Sequence, residues 1–380
     1  MEIKRTALQN KAHKILSNYL AKAGIELDGK NACDPQVHNP NLYNRIIMQG
    51  SLGLGEAYMD KWWDCEEIDE LLCKVLSSQL DNEVRGKMVF VKNWLMPRLM
   101  NMQSRARSFQ VGKQHYDAGN DLYKAMLDPT MSYSCGYWKD AKNLHEAQLA
   151  KLDLICRKLQ LKAGEKVLEI GCGWGSFMHY ASTKYKVEVT GITVSKEQEK
   201  LALERCKDLP VKVELMDYRS LQGKYNKIVS IGMFEHVGSK NYDEYFKSAC
   251  RLMDDDGIFV LHTIGNDKTQ LGTDPWINKY IFPNGQIPAL AQIAPACEPY
   301  FVIEDVHNFG MDYDKTLMAW SENFEAAWPD LKDQYDERFY RMWNYYLKSC
   351  AGAFRSRGLQ LFQIVLRKKL RPLPRYDSVR

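Results

Sequence analysis

The run Glu169-Ile170-Gly171-Cys172-Gly173-Trp174-Gly175 follows an apolar segment that reads as a strand and precedes a helical pattern. Glycines at such a turn let the backbone approach a ligand at the carboxyl edge of a sheet, where doubly wound folds hold nucleotide-type cofactors. The spacing is E-x-G-x-G-x-G, not the G-x-G-x-x-G of dinucleotide folds. The acid expected about 20 residues later to hold a ribose is also absent, because the next strand ends in Thr190-Gly191-Ile192-Thr193. Thr193, Ser195 and Gln198 offer hydroxyl and amide groups in its place, with Val194 between them, although Ser195 serves equally as a helix N-cap. Asp217-Tyr218, after the third strand, suits an adenine amine and ring, or forms a surface turn. For the glycine run itself the plain alternative is a tight structural turn.

Two more polar residues fall at strand ends: Glu235 in Gly232-Met233-Phe234-Glu235-His236, and His262 in Leu261-His262-Thr263-Ile264-Gly265. Singly, a strand His is a satisfied core residue and a loop Glu is solvated. Together at adjacent strand ends on the cofactor edge, they are candidates for moving a proton.

Positioning these groups requires a sheet. Strand-like runs at 166–170, 187–192, 211–216, 227–231, 257–263, 301–306 and 359–366 alternate with helical patterns, which predicts a seven-stranded, mostly parallel α/β sheet with helices on both faces. Leu144, Leu152, Ile155 and Leu159 predict a helix just before it. At the N-terminus, Leu8, Ala12, Ile15, Leu16, Tyr19 and Leu20 recur at helical spacing and Gly24 supplies a stop. A second helical region is expected from Gly50 to Cys65, continuing through Ile68–Leu76. The expected organisation is a small helical domain at 1–83, a basic linker at 84–113 and a catalytic domain at 114–380.

With 380 residues, 45% hydrophobic and 26% charged, the composition excludes disordered and collagen-like chains. Ten cysteines occur without a Cys-x-x-Cys pair or a His/Cys cluster at metal spacing, so reduced thiols are expected and no metal site. No apolar run approaches the ~20 residues that span a bilayer, and the N-terminus lacks a signal-peptide pattern, which points to the cytoplasm. The net charge of +4 is unevenly placed: 84–113 holds seven Lys/Arg and no acid, around an apolar stripe of Met88, Val91, Leu95, Leu99 and Met102. A solvated linker face and a membrane-surface element both fit, whereas no nucleic-acid motif supports a nucleic-acid patch.

Several segments together resemble the bacterial cyclopropane-fatty-acyl-phospholipid synthases: Tyr133-Ser134-Cys135, the glycine run, the Glu235 and His262 segments, PWINKYIFPNG (275–285), HNFGMDYDKTLMAW (307–320), YYLKSCAGAFR (345–355) and QGSLGLGEAYMDKWWDC (49–65). The glycine pattern by itself is similar to that of S-adenosylmethionine-dependent methyltransferases in general. The resemblance implies a Rossmann-like class I methyltransferase fold and transfer of a methylene from S-adenosyl-L-methionine to the cis double bond of unsaturated acyl chains in membrane phospholipids. It further implies bicarbonate as general base, held by Cys135, Glu235, His262, Tyr313 and the backbone of Ile264. Cys350 matches a cysteine assigned to the active site, or lines the acyl pocket; Cys135 alone would read as a small buried residue. Implied cofactor contacts are Tyr133, Ser134, Glu169, Gly171, Cys172, Gly173, Trp174, Gly175, Thr193, Val194, Gln198, Asp217 and Tyr218.

A homodimer attached peripherally to the inner membrane surface is also implied. Exposing a dozen methylenes at about 0.8 kcal/mol each would cost on the order of 10 kcal/mol, so the acyl chain must pass directly from bilayer to pocket. The linker 84–113 and the tail 367–380 are the expected contacts with anionic lipid. A methyltransferase for a small amine or a related lipid, and a non-catalytic lipid-binding protein, are the competing readings.

Overall fold

The computed structural model describes residues 5–78, 120–270, 272–370 and 372–380; the basic stretch 84–113 and both expected boundaries beside it lie outside the described residues. Among the described residues, the chain runs through α1 (Ala7–Lys22), β1 (Gln36–Val37), α2 (Asn41–Gln49), α3 (Ser51–Met59), β2 (Trp63–Asp64), α4 (Ile68–Ser77), α5 (Asn120–Met126) and α6 (Leu144–Lys158). An alternating series follows: β3 (Lys166–Ile170), α7 (Ser176–Tyr185), β4 (Glu188–Thr193), α8 (Lys196–Arg205), β5 (Val211–Leu215), β6 (Tyr225–Ile231), α9 (Tyr242–Leu252) and β7 (Met253–Asn266). The remainder is α10 (Pro275–Tyr280), α11 (Leu290–Cys297), β8 (Phe301–Asn308), α12 (Met311–Leu331), α13 (Glu337–Arg355) and β9 (Leu359–Lys368).

The chain forms two compact units. Of the described residues, one gathers 5–78, 272–283 and 313–359; the other gathers 120–270, 284–312, 360–370 and 372–380.

In the first unit, Thr6 and Gln9 form a capping box that starts α1, and Gly24 follows its end at φ 70°. The helical run expected through Cys65 is broken after Met59. Lys61 takes a left-handed conformation, and Trp63–Asp64 pair antiparallel with Gln36–Val37. α4 packs on α13, where a Cβ at Gly352 would lie 2.3 Å from the Asp69 carbonyl oxygen. Arg355 ties this contact with Asp69, Glu70 and Asp314 at 2.7–3.2 Å. Among the described residues no helix is long and apolar enough to cross a membrane.

The second unit carries the seven-stranded sheet in the order β5-β4-β3-β6-β7-β9-β8. The pairs from β5 to β7 are parallel, and β8 pairs antiparallel with β9. Alternation along the strands sends residues to two separate cores. Leu168, Ile228, Phe259, Leu261 and Ile364 enter one, while Val167, Val229, Ile258, Val260 and Val365 enter the other beneath Leu152 and Ile155 of α6. The strand order reverses between β3 and β6, so a ligand crevice is expected at their carboxyl ends.

Candidate active site

The glycine turn leaves β3 at that crevice. Gly171, Gly173 and Gly175 have φ of 84°, 52° and 84°, in the region where only glycine is unstrained. A Cβ on Gly171 would lie 2.7 Å from the Met233 side chain, whereas a Cβ on Gly173 would meet nothing within 4 Å. The turn is therefore packed from behind and open where Gly173 faces. Glu169 is buried and its Oε2 has no hydrogen-bond partner; burial holds its carboxyl well above the usual range. An open cradle beside an orphaned buried carboxyl oxygen fits a bound cofactor with donors to offer. Cys172 and Trp174, within the turn, are buried.

Around the cradle, Thr193 Oγ1 donates to Gln198 Oε1 at 2.8 Å and accepts from the Ser195 amide at 3.1 Å. Ser195 Oγ accepts from the Gln198 amide, so Ser195 is the N-cap of α8. Val194 lies half-buried between them. Both carboxylate oxygens of Asp217 are engaged by Arg219, at 2.7 and 2.6 Å, because a short 3-10 turn folds that guanidinium back two residues. The buried Tyr218 ring stands edge-on to Tyr245 at 5.3 Å.

Tyr133-Ser134-Cys135 is held by α6. Gln148 Nε2 donates to the Ser134 carbonyl at 2.8 Å, and Lys151 Nζ donates to Ser134 Oγ at 3.0 Å. The Tyr133 ring meets Tyr123 edge-on at 5.2 Å, and Tyr123 packs on Trp174 at 4.7 Å, which joins this segment to the glycine turn. Cys135 is fully buried, its thiol 3.1 Å from the Gly136 carbonyl.

Glu235 follows β6 on a 3-10 turn. Its Oε1 accepts from the Ile264 amide at 2.7 Å; its Oε2 is buried without a hydrogen-bond partner among the described residues, and burial, against the Ile264 amide and the Thr263 side chain, pushes the carboxyl up to about 7. The Ile264 carbonyl accepts from the Thr263 hydroxyl, so both backbone groups of Ile264 are engaged within the unit. His262 is 1% exposed, and burial lowers its pKa well below the ordinary value, which makes the ring neutral. Gln363 Nε2 donates to His262 Nδ1 at 3.1 Å, which leaves the ring proton on Nε2, a buried atom with no partner. The two residues sit on neighbouring strand ends, joined by the Gly232 amide donating to the His262 carbonyl at 2.9 Å.

Tyr313 and Cys350 belong to the other unit. Tyr313, on α12, packs against Phe354 at 4.5 Å and Trp320 at 6.0 Å. Burial and the Asp274 carboxylate push the Cys350 thiol up to about 12. It is a protonated thiol, unsuited to attack as a thiolate.

Three polar residues that support this site were not picked out by motif: Gln148, Lys151 and Gln363. The available signal was periodic. Leu144, Gln148, Lys151, Ile155 and Lys158 fall on one stripe of α6, and a lysine at a core-facing position needs a reason to be there. In the basic tail, Arg367 donates to the Pro374 carbonyl, Lys368 pairs with Asp255, and Arg380 pairs with Asp305 beside the buried Lys158, while Lys369 and Arg375 are exposed.

Residues 103–364 match the family model described as mycolic acid cyclopropane synthetase. The chain is 55% identical over 353 residues to the cyclopropane-fatty-acyl-phospholipid synthase of Escherichia coli K12, covering 93% of this chain and 92% of that protein. It is 39% identical to a probable fatty acid methyltransferase of Pseudomonas putida, covering 87% and 85%. Among solved structures, the mycolic acid cyclopropane synthase CmaA1 complexed with SAH and CTAB superposes with TM-score 0.64 at 32% identity, covering 68% of this chain and 98% of that one.

Proposed function

The chain belongs to the mycolic acid cyclopropane synthetase family, and from that premise we propose that it converts cis double bonds of unsaturated acyl chains in membrane phospholipids to cyclopropane rings. It is an S-adenosyl-L-methionine-dependent methyltransferase. When bound, that cofactor supplies an electrophilic methyl group to the double bond, leaving a cationic acyl chain that closes to the ring on losing one proton from the new methyl.

This chain's residues divide the remaining work. The open backbone at Gly173, with Glu169, Tyr133, Ser134, Thr193 and Gln198 around it, holds the donor. Burial of Glu235 and His262 keeps water from the proton-removal site, where water would capture the cation as an alcohol. Bicarbonate is our proposed base. Protonated Glu235 and the Nε2–H of neutral His262 are the donors that would hold it, with Cys135 as a further contact on the family resemblance. Positioned general-base assistance is typically worth ~10²- to 10⁴-fold.

The observation that carries this reading is the pair of buried, unpartnered polar atoms, Glu235 Oε2 and His262 Nε2, on neighbouring strand ends at the sheet's switch point. A methyltransferase for an amine needs no such dry site for removing a proton from carbon. Docking on an anionic bilayer follows from the cost of exposing the acyl chain, and a homodimer is part of the same reading by resemblance.

The test is to incubate the protein with S-adenosyl-L-methionine and vesicles of unsaturated phospholipid, then follow the acyl chains by mass spectrometry and NMR. A gain of one methylene with loss of the olefinic signals supports cyclopropanation. A methyl branch, with the olefin kept after a gain of CH2 or reduced with a gain of CH4, selects the fatty acid methyltransferase reading instead.

A further inference from the structure

Lys151 is 1% exposed on α6, and among the described residues its side chain's only hydrogen bond is to Ser134 Oγ. It forms no ion pair among the described residues. The acids nearest to it in electrostatic terms are Asp128 and Glu169, together with the Cys135 thiol. Asp128 is already met by His145 Nδ1 at 2.8 Å and by the Thr130 amide and hydroxyl. Burial holds the Glu169 carboxyl well above its usual range, and no hydrogen bond joins it to Lys151. A buried ammonium without its own anion costs several kcal/mol, so such a group is retained where an anion arrives.

The site already described is short of positive charge. Glu235 and His262 offer hydrogen-bond donors but no cation, and a buried oxyanion held by neutral donors alone would be poorly compensated. Lys151 bears on this same site by two routes. It fixes the side chain of Ser134, the residue before Cys135, and its charge is among the causes that keep His262 neutral. His262 and Glu169 lie on the sheet face that α6 covers: each falls in register with residues entering the core under Leu152 and Ile155.

We propose that Lys151 is the counter-charge of the base ion, a positioning residue that supplies the positive potential for a monovalent oxyanion at Glu235 and His262 and anchors the Tyr133-Ser134-Cys135 segment. This inference rests on the bicarbonate reading above.

The experiment uses the full-length protein on unsaturated phospholipid vesicles in bicarbonate-depleted buffer, titrated with bicarbonate. Wild type is compared with Lys151→Met and Lys151→Arg, the second of which keeps the charge. Lys151→Met is expected to raise the half-saturating bicarbonate concentration by about tenfold or more, the scale of one lost charge-assisted contact. S-adenosyl-L-methionine affinity by calorimetry should fall by a smaller factor than bicarbonate affinity, with Lys151→Arg restoring most of the bicarbonate affinity. An unchanged half-saturating concentration in Lys151→Met overturns the inference, as does an equal rise in Lys151→Arg. Wild-type turnover that ignores bicarbonate overturns the parent reading and this inference with it.

Should Lys151→Met fail to fold, the wild-type titration repeated from about pH 7 to about pH 9 decides. Burial lowers the Lys151 ammonium to about 8, with Asp128, Cys135 and Glu169 facing it and His262 responding to it. Glu235, raised to about 7 by burial, loses its own proton in the lower part of this range, so the part above about pH 8 decides: there bicarbonate affinity should go on weakening as the Lys151 proton is lost, and a profile flat above about pH 8 overturns the inference.

Discussion

Replacing Glu235 by Gln separates the catalytic role of this carboxyl from its cost to the fold. Burial raises the group from 4.5 to about 7, so in the native state it resists ionising. A folded-state value above the unfolded one contributes stability at low pH that is lost as the pH rises through 7. At 1.36 kcal/mol per unit, the wild-type penalty grows from about 1 kcal/mol near pH 5 to about 3 kcal/mol near pH 8. Gln cannot ionise, and its carbonyl oxygen can still accept from the Ile264 amide that now serves Oε1 at 2.7 Å. The buried amide hydrogens impose a cost of about 1–3 kcal/mol that does not change with pH. The stability of E235Q relative to wild type should therefore improve by about 2 kcal/mol between pH 5 and pH 8. Urea denaturation of both proteins at the two pH values measures this, and turnover on vesicles should fall ~10²- to 10⁴-fold in the same variant. A difference in stability that is the same at both pH values would refute the claim that burial holds this carboxyl neutral. Near-normal turnover would remove it from proton transfer.

Three further substitutions probe separate parts of the account. Cys350→Ala should keep turnover within about threefold, because a thiol held at about 12 is not a nucleophile; a loss of ~10² or more would restore that role. Gly171→Ala combines a φ of 84° with a 2.7 Å approach to Met233, so it should cost about 1–3 kcal/mol and weaken S-adenosyl-L-methionine binding; wild-type melting and wild-type calorimetry would contradict this. Arg380→Ala leaves the buried Asp305 carboxylate with Ser378 and a Lys158 nitrogen 3.8 Å away. Since Arg380 is 40% exposed, the loss should be only about 1 kcal/mol. Asp305 is held below its ordinary pKa despite burial, by Arg380 first among the stabilising groups. The deficit should therefore be present near neutral pH and shrink as the pH falls through the carboxylate range, which melting curves across that range would check.

The strands were legible because the short apolar runs of β3, β6 and β7, buried on both faces, are a local property of the sequence, and a strand-turn-helix glycine run has few other meanings. Glu235 and His262 stood out because each follows directly on a strand. The break after Met59 was not legible: the residues from 60 to 67 are polar and aromatic in a way that continues a helical stripe, and the pairing of Trp63 with Val37 is non-local. Nothing in spacing announces that Arg219 folds back on Asp217. Lys151 and Gln363 were hidden for a common reason. Sequence assigns polar residues to solvent by default, and only the tertiary burial of α6 and β9 turns them inward. Nor does spacing announce the partners that Arg367, Lys368 and Arg380 of the tail find in their own unit.

The central claim is that a methyl group is transferred to the alkene and then loses one proton at a dry, built site. Donor carrying a fully deuterated methyl, turned over on unsaturated phospholipid vesicles, tests it in a single mass-spectrometric and NMR measurement of the acyl chains. The account predicts a ring methylene that retains two of the three deuteriums, with the third lost to solvent. Retention of all three in a methyl branch, or of all three beside a new hydroxyl, would contradict it.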